Sequence, residues 1–339
     1  MAIFGEGGIK MSHKIKRWTI FPAALASLLL AITLPLAEAR AAETRSPETR
    51  SVEPRSDAAF KEYPQADVAR LSQVVDEVYV LGKGDVDWSF ADPNLALEKG
   101  DMIQTGEAGM AELQFDDYLV LRVGANSRAA LVETGVQRVI GVERGSVYLR
   151  VAREVTAGEE LILTFPGGQL AVVGRVLARL DIADDGSAQL RVVRGSIGLA
   201  TKSEEARSVT TGSGVLIDAA GKIEAHSLDM ARGDGFEKWN TERDIALSTY
   251  KRPEQVEENV VGAEELDGYG EWVTSETYET QAWRPYVVET WKPYSQGRWY
   301  YSEYYGWTWT PEEPWGYATH HYGSWNYDPY YRWVWIPGS

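Results

Sequence analysis

The sequence predicts a mainly β protein with one soluble helix, and three observations predict it. Short runs with apolar side chains at alternate positions, separated by Gly, Asn and Asp, fill Leu71 to Ala225; that is the period of a half-buried strand. An aromatic phrase recurs near the C-terminus at an offset of 26 residues, the mark of a repeated unit whose copies stack to bury their apolar faces. Between these regions a single stretch carries helical periodicity. The expected order is a signal peptide over 1–41, a disordered linker over 42–70, an antiparallel β-domain over 71–225, a helix and acidic connector over 226–267, and aromatic β-hairpin repeats over 268–339.

The N-terminus reads as an export signal. Lys14, Lys16 and Arg17 precede the apolar run Ile20 to Leu36, and Ala39-Arg40-Ala41 offers a small-residue cleavage site. Pro22, Pro35 and the Ala-rich exit favour cleavage; the alternative is an uncleaved inner-membrane anchor, since the run sits at the lower edge of spanning length. From Ala42 to about Arg70, Thr-Arg-Ser occurs twice and Pro47, Pro54 and Pro64 interrupt mixed charge. Too few large apolar groups are present there to offset ordering entropy.

The β-domain opens at Val74 to Leu81 and continues through Ala111 to Phe115, Leu119 to Val123 and Leu177 to Ile182. Turn signals fall at Gly100-Asp101, Asp116-Asp117, Gly124 to Asn126, Gly167-Gly168 and Asp184-Asp185-Gly186. Gly145-Ser146-Val147 is echoed by Gly195-Ser196-Ile197, as two stacked hairpin layers in a solenoid or sandwich would explain.

Here the residues carry a resemblance. Gly100-Asp101-Met102-Ile103-Gln104-Thr105-Gly106, Ala111 to Asp116, then Leu119, Leu121, Gly124 and Asn126-Ser127, resemble the signature of the FecR domain family, and Gly145 to Val151 resembles its following strand. Asp116-Asp117 departs from the usual Asp-Gly turn, and Thr164-Phe165-Pro166 from a later Thr-Pro phrase. Signal-transducing members resemble anti-sigma factors with a cytoplasmic helical domain, whereas only a short basic segment precedes the apolar run here. The resemblance therefore implies an extracytoplasmic β-module rather than sigma-factor regulation.

Asp234 followed by Glu237 forms a capping box. Phe236, Trp239, Ala246, Leu247 and Tyr250 then share one helical stripe, with Glu242, Asp244 and Lys251 elsewhere. Arg252-Pro253 ends the helix, and Glu254 to Asp267 is expected to be an acidic connector.

Gly297-Arg298-Trp299-Tyr300-Tyr301 through Trp307-Thr308-Trp309-Thr310-Pro311 is matched by Gly323-Ser324-Trp325-Asn326-Tyr327 through Trp333-Val334-Trp335-Ile336-Pro337. A looser copy runs from Gly270-Glu271-Trp272 to Trp283-Arg284-Pro285. Residues 268–339 hold ten of the 13 Trp and 13 of the 18 Tyr, but no Leu, Phe or Met, so many aromatics must form the core themselves. Alternation along strands places Trp299 with Tyr301, and Trp307 with Trp309, on one face, the expected core. That leaves Trp291, Tyr300, Tyr304, Tyr305, Trp315, Tyr330 and Tyr331 as candidate ligand-binding aromatics, suited to stacking on sugar rings or holding extended proline-rich peptide. The region Gly235 to Ser339 resembles the Trp/Tyr-rich domains that follow FecR domains in bacterial envelope proteins, which implies a family but no mechanism.

Charge and composition narrow the function. Net charge is −16, with 34 basic and 50 acidic residues, a surface that repels nucleic acid and anionic lipid. The absence of cysteine excludes disulfides, thiolate metal sites and a Cys nucleophile. Adjacent His320 and His321 are poorly placed to share an ion and are expected in a turn or exposed strand end. Glu312-Glu313 lacks the opposed geometry of a glycosidase pair, and Gly5 to Gly8 is not a phosphate loop. No catalytic residues, metal or cofactor are expected. The sequence therefore predicts a non-enzymatic binding or scaffolding protein, periplasmic or secreted, whose partner is a cell-envelope glycan or envelope protein. Membrane contact is expected only if the signal stays uncleaved. A membrane-anchored FecR-like signalling component and a hydrolase with an unrecognised site are the alternatives.

Overall fold

The computed structural model describes residues 68–116, 118–155, 158–226 and 233–338. The expected signal peptide and all but the last three residues of the expected linker lie outside the described residues. Ala69 and Arg70, read as linker, are buried in the first strand.

Fifteen strands form the first sheet system. They are β1 (Ala69–Val75), β2 (Val78–Leu81), β3 (Ser89–Phe90), β4 (Ala96–Leu97) and β5 (Met102–Thr105). Next come β6 (Met110–Gln114), β7 (Leu119–Val123), β8 (Arg128–Thr134), β9 (Gln137–Val151) and β10 (Glu160–Phe165). The set closes with β11 (Gly168–Ile182), β12 (Ala188–Thr201), β13 (Arg207–Thr210), β14 (Ser213–Ile217) and β15 (Ile223–His226). The opening run expected as one strand is split into β1 and β2 at Asp76, whose φ is 56°.

Three long strands, β9, β11 and β12, build two layers. The first half of β9 lies between β8 and β10, and its second half between β7 and β11. The first half of β12 pairs with β14 and its second half with β13, both halves running beside β11. One layer therefore runs β4-β1-β6-β7-β9-β11-β12-β14-β15, and the other β3-β2-β5-β8-β9-β10-β11-β12-β13. Pairing is antiparallel except between β9 and β10. One apolar cluster, including Leu121, Leu149, Leu163, Leu180 and Leu199, draws on both layers.

The echoed Gly-Ser-Val/Ile phrases have a mechanical origin. Gly145 and Gly195 have φ of 85° and 86° where β9 and β12 change layer. A Cβ on Gly195 would lie 2.0 Å from the Arg175 carbonyl oxygen, and one on Gly145 2.5 Å from the Ser127 Cα. Both bends need a residue that tolerates the left-handed region and has no side chain.

The helix α1 (Gly235–Thr249) starts as the sequence predicts: the Asp234 carboxylate accepts the Glu237 N–H at 2.8 Å. Its packing face differs. Ala246 is exposed, whereas Arg243 and Asp244 turn inward, because the surface receiving the helix is itself charged. On β6 and β7, Glu112 and Arg122 are fully buried and paired at 2.7 Å. Arg122 also donates to Asp244 at 2.7 Å, Arg243 donates to Glu112 at 2.7 Å, and the Tyr148 hydroxyl donates to Asp244 at 2.9 Å. At the other end of the helix Arg179 binds Asp234 and Glu237 and lies over the Phe236 ring. An apolar stripe alone could not satisfy these buried charges.

Burial alone would raise the Glu112 pKa, but the hydrogen bond from Arg243 and the charges of Arg122 and Arg243 outweigh it and hold the carboxyl at about 2. A pKa depressed on folding contributes stability that is fully present above the unfolded value, near 4.5, and lost as pH falls through about 2. Glu112→Gln is expected to cost about 3–5 kcal/mol at pH 7 by removing the buried charge that Arg122 and Arg243 share, with Arg122 left to Asp244. In urea titrations from pH 7 to pH 2 the gap to the parent should shrink with acid; a constant gap would contradict this account. Gly195→Ala is expected to lose at least ~2 kcal/mol in the same assay, whereas Gly198→Ala, with only ordinary contacts around its added methyl, should stay near parental stability.

Candidate functional site

Each copy of the aromatic phrase folds as one hairpin. The strands are β16 (Gly270–Ser275) with β17 (Thr280–Pro285), β18 (Gly297–Ser302) with β19 (Gly306–Pro311), and β20 (Ser324–Asp328) with β21 (Arg332–Ile336). The same Trp pair faces across each: Trp272 with Trp283, Trp299 with Trp309, Trp325 with Trp335. The glycine opening each copy makes this possible. A Cβ on Gly270, Gly297 or Gly323 would lie 2.4, 2.6 or 2.9 Å from the ring of Trp283, Trp309 or Trp335, so the second Trp lies against bare backbone.

The turns are built alike. Ser302 Oγ accepts the Tyr304 and Tyr305 N–H groups, and Asp328 Oδ1 accepts those of Tyr330 and Tyr331. The first and third hairpins join through Trp283 and Trp335 into a four-stranded sheet, β16-β17-β21-β20. The Ser275 hydroxyl donates to Asp328 at 2.6 Å between them. Between the second and third hairpins lies the short helix α2 (Gly316–His321).

Trp283, Trp291, Trp315 and Trp335 form the centre of this region with Val256, Val260, Ala263 and Leu266. The acidic segment expected to be a plain connector thus adds aliphatic side chains to a centre that residues 268–339, with no Leu, build mainly from aromatics. Trp291 and Trp315, candidates for ligand contact, are buried; Trp291 Nε1 donates to the buried Glu313 carboxylate at 2.7 Å. Burial raises the Glu313 pKa. His320 and His321 lie on α2 rather than in a turn or strand end, and burial lowers both to about 4.

The second hairpin stands apart as a two-stranded sheet, its back held by the first β region. The Ser302 hydroxyl donates to Glu98, Arg298 pairs with Asp92 at 2.6 Å, and Lys83 pairs with Glu303 at 2.5 Å. Tyr300 packs against the core of the β-domain and beside Tyr317. The face opposite is left open: Trp299, Tyr301 and Trp307 are 56%, 65% and 69% exposed. Tyr301 meets Trp307 edge to face at 5.7 Å, and Trp299 meets Trp309 at 5.3 Å. Of the four aromatics expected to form a core, only Trp309 is buried. Alternation puts the four rings on one side, as found, but that side faces outward, because the polar back of the hairpin has partners in the β-domain.

A family profile described as FecR protein matches residues 101–198. The chain carries a FecR domain. It is followed at residues 263–339 by a match to DUF6600, a family of unknown function. Two crystal structures of a "putative anti-sigma factor" from Parabacteroides distasonis, at 1.65 and 2.50 Å, superpose with TM-score 0.33 and 15% identity, covering 38% of this chain. The chain spans 60% of the length of those structures, and no functional argument rests on so loose a match. No curated protein matches the chain. Among the described residues no helix is long and apolar enough to cross a membrane, and no group of three or more His, Cys, Asp or Glu could hold a metal ion.

Of the remaining candidates, Tyr304, Tyr305 and Tyr330 are exposed, Tyr330 the most at 84%, and Tyr331 and Tyr300 are half-buried. The β region containing the FecR match holds this aromatic unit through Arg70. That side chain is 1% exposed and donates to Asn94, Gln114, Glu264 and the Pro314 carbonyl. Asn94 Nδ2 donates onward to the Pro311 and Glu313 carbonyls at 3.2 and 2.9 Å. Asn94→Ala removes the side-chain donor from both carbonyls, leaving the Glu313 carbonyl only the Gly316 N–H, and takes an acceptor from Arg70, at a cost of about 1–3 kcal/mol. Hydrogen exchange should accelerate in peptides covering 306–316 and stay unchanged in β9 to β12; equal acceleration in both would contradict a local latch.

Proposed function

We propose that this FecR-domain protein is exported to the bacterial cell envelope and binds an envelope glycan or envelope protein there, with the exposed aromatic face of β18 and β19 as the contact surface. One observation carries the reading: three large rings lie on the open side of a hairpin whose other side is tied down. Exposed aromatics on this scale, contiguous and held rigid, are binding surfaces more often than neutral decoration. Tyr and Trp offer a broad apolar face at little cost in side-chain freedom, with a polar group at the edge for direction. The basic, apolar and small-residue segments ahead of Ala42 support export. Binding rather than catalysis fits both the family match and the way the carboxylates and histidines of the C-terminal region are used in packing.

The FecR match favours a second reading, a membrane-anchored signalling component. N-terminal sequencing of the mature protein separates the two: a terminus near Ala42 supports release, and a retained apolar run supports anchoring.

The contact surface is tested with the variant Trp299→Ala/Tyr301→Ala/Trp307→Ala. The fold should survive, since all three side chains are largely exposed. Retention on isolated envelope fractions should fall by about 100-fold, as the loss of three ring contacts of ~1 kcal/mol each would give. Undiminished retention by a folded variant would remove this face from the binding surface.

A further inference from the structure

We propose that the cleft at the tip of the β18–β19 hairpin is a saccharide site that takes an uncharged pyranose against the ring of Tyr304. The cleft has a volume of about 500 Å³, within the range of small-ligand sites. Its wall is shared between the β-domain, through Lys83, Glu98, Lys99 and Glu133, and the hairpin turn, through Glu303 and Tyr304.

Tyr304 is positioned by its turn. Its N–H and that of Tyr305 donate to Ser302 Oγ at 3.1 and 2.7 Å, and the Ser302 hydroxyl donates to Glu98. Ser302 is buried, so the turn has little freedom. The Tyr305 ring meets Tyr304 edge to face at 4.7 Å, which restrains the Tyr304 ring while leaving the residue 54% exposed. A held aromatic ring on one wall of a polar cleft matches the two-sided chemistry of a pyranose, which has an apolar C–H face and a rim of hydroxyls.

The charges select the ligand class. Lys83 is bound to Glu303 at 2.5 Å, Lys99 to Glu133 at 2.7 Å, and Glu98 already receives the Ser302 hydroxyl. An anionic ligand would meet three carboxylates beside two lysines that are already paired, and a cationic one would face those two ammonium groups at close range. A hydroxylated, neutral ligand incurs neither repulsion. Each ammonium has two further N–H groups and each carboxylate further lone pairs, so sugar hydroxyls add to the existing pairs as donors to one member and acceptors from the other.

This site deepens the envelope-binding reading and rests on it for the source of the ligand, but it uses none of Trp299, Tyr301 and Trp307. The experiment is calorimetric titration of the full exported protein with three probes: an N-acetylglucosamine tetrasaccharide, a glucose tetrasaccharide and a tetramer of a uronic acid. Binding of at least one neutral tetrasaccharide is expected, with the uronic acid tetramer weaker. Tyr304→Ala should weaken that binding about ten-fold or more, while Tyr304→Phe, which keeps the ring, should stay within about three-fold of the parent. Lys99→Met tests the polar wall and should also weaken binding. The proposal is overturned if no neutral tetrasaccharide binds, if the uronic acid tetramer binds best, or if Tyr304→Ala binds like the parent. Should the cleft fail, parental retention on envelope fractions and its loss in the triple-ring variant would still stand; should the broader reading fail, retention itself is absent.

Discussion

A buried guanidinium holds the two β regions of this protein in one arrangement. Arg70 lies on the first strand of the layered sheet, yet its donors reach Asn94 and Gln114 on its own side and Glu264 and the Pro314 carbonyl on the other. Its Cζ also lies 5.4 Å from the ring centre of Tyr317. Asn94 extends the bridge to the chain just after β19. Among the described residues, backbone pairing joins no strand of one region to a strand of the other. Arg suits the position because a planar fork can serve several acceptors at once in fixed directions.

That arrangement decides which rings face solvent. All three hairpins have the same cross-strand Trp pair and the same opening glycine, so by local rules they are equivalent. Two of them bury their aromatic faces together around Trp283 and Trp335. The middle one is turned over, its hydroxyl-rich back carrying Ser302, Thr308 and Thr310 towards the β-domain and its rings away from it. An exposed aromatic surface arises here from a repeat that stands apart from its sisters. The helix α1 shows a related effect: its docking surface is a charge network rather than an apolar stripe, because Glu112 and Arg122 are buried beneath it.

Much of this was legible in the chain. Alternation located β6, β7 and the second half of β11, and turn signals between them fell at bends of the backbone. Asp234 with Glu237 gave the start of α1. The FecR-like phrases and the Trp/Tyr-rich ending were each recognisable from their own residues. What misled were inferences about facing. A strand's period says that Trp299, Tyr301, Trp307 and Trp309 share a side, and it is silent on whether that side is wet. The absence of Leu, Phe and Met from 268–339 implies that many aromatics form the core, as they do, and is silent on Val256, Val260 and Leu266, which join it from the segment before.

The sequence by itself determined the elements: strands by a period of two, one capped helix, and three hairpins by Gly-x-Trp and a turn that caps its own amides. These depend on contacts within a few residues or across one turn, which local order records. Only the tertiary structure decided that Trp291 and Trp315 are core, that Trp299, Tyr301 and Trp307 are surface, and that Tyr304 overlooks a charged cleft. The first turns on Val256, Val260 and Leu266 packing against those rings, and the other two on Asp92, Asn94 and Glu98 meeting a hairpin about 200 residues away; no local pattern encodes either.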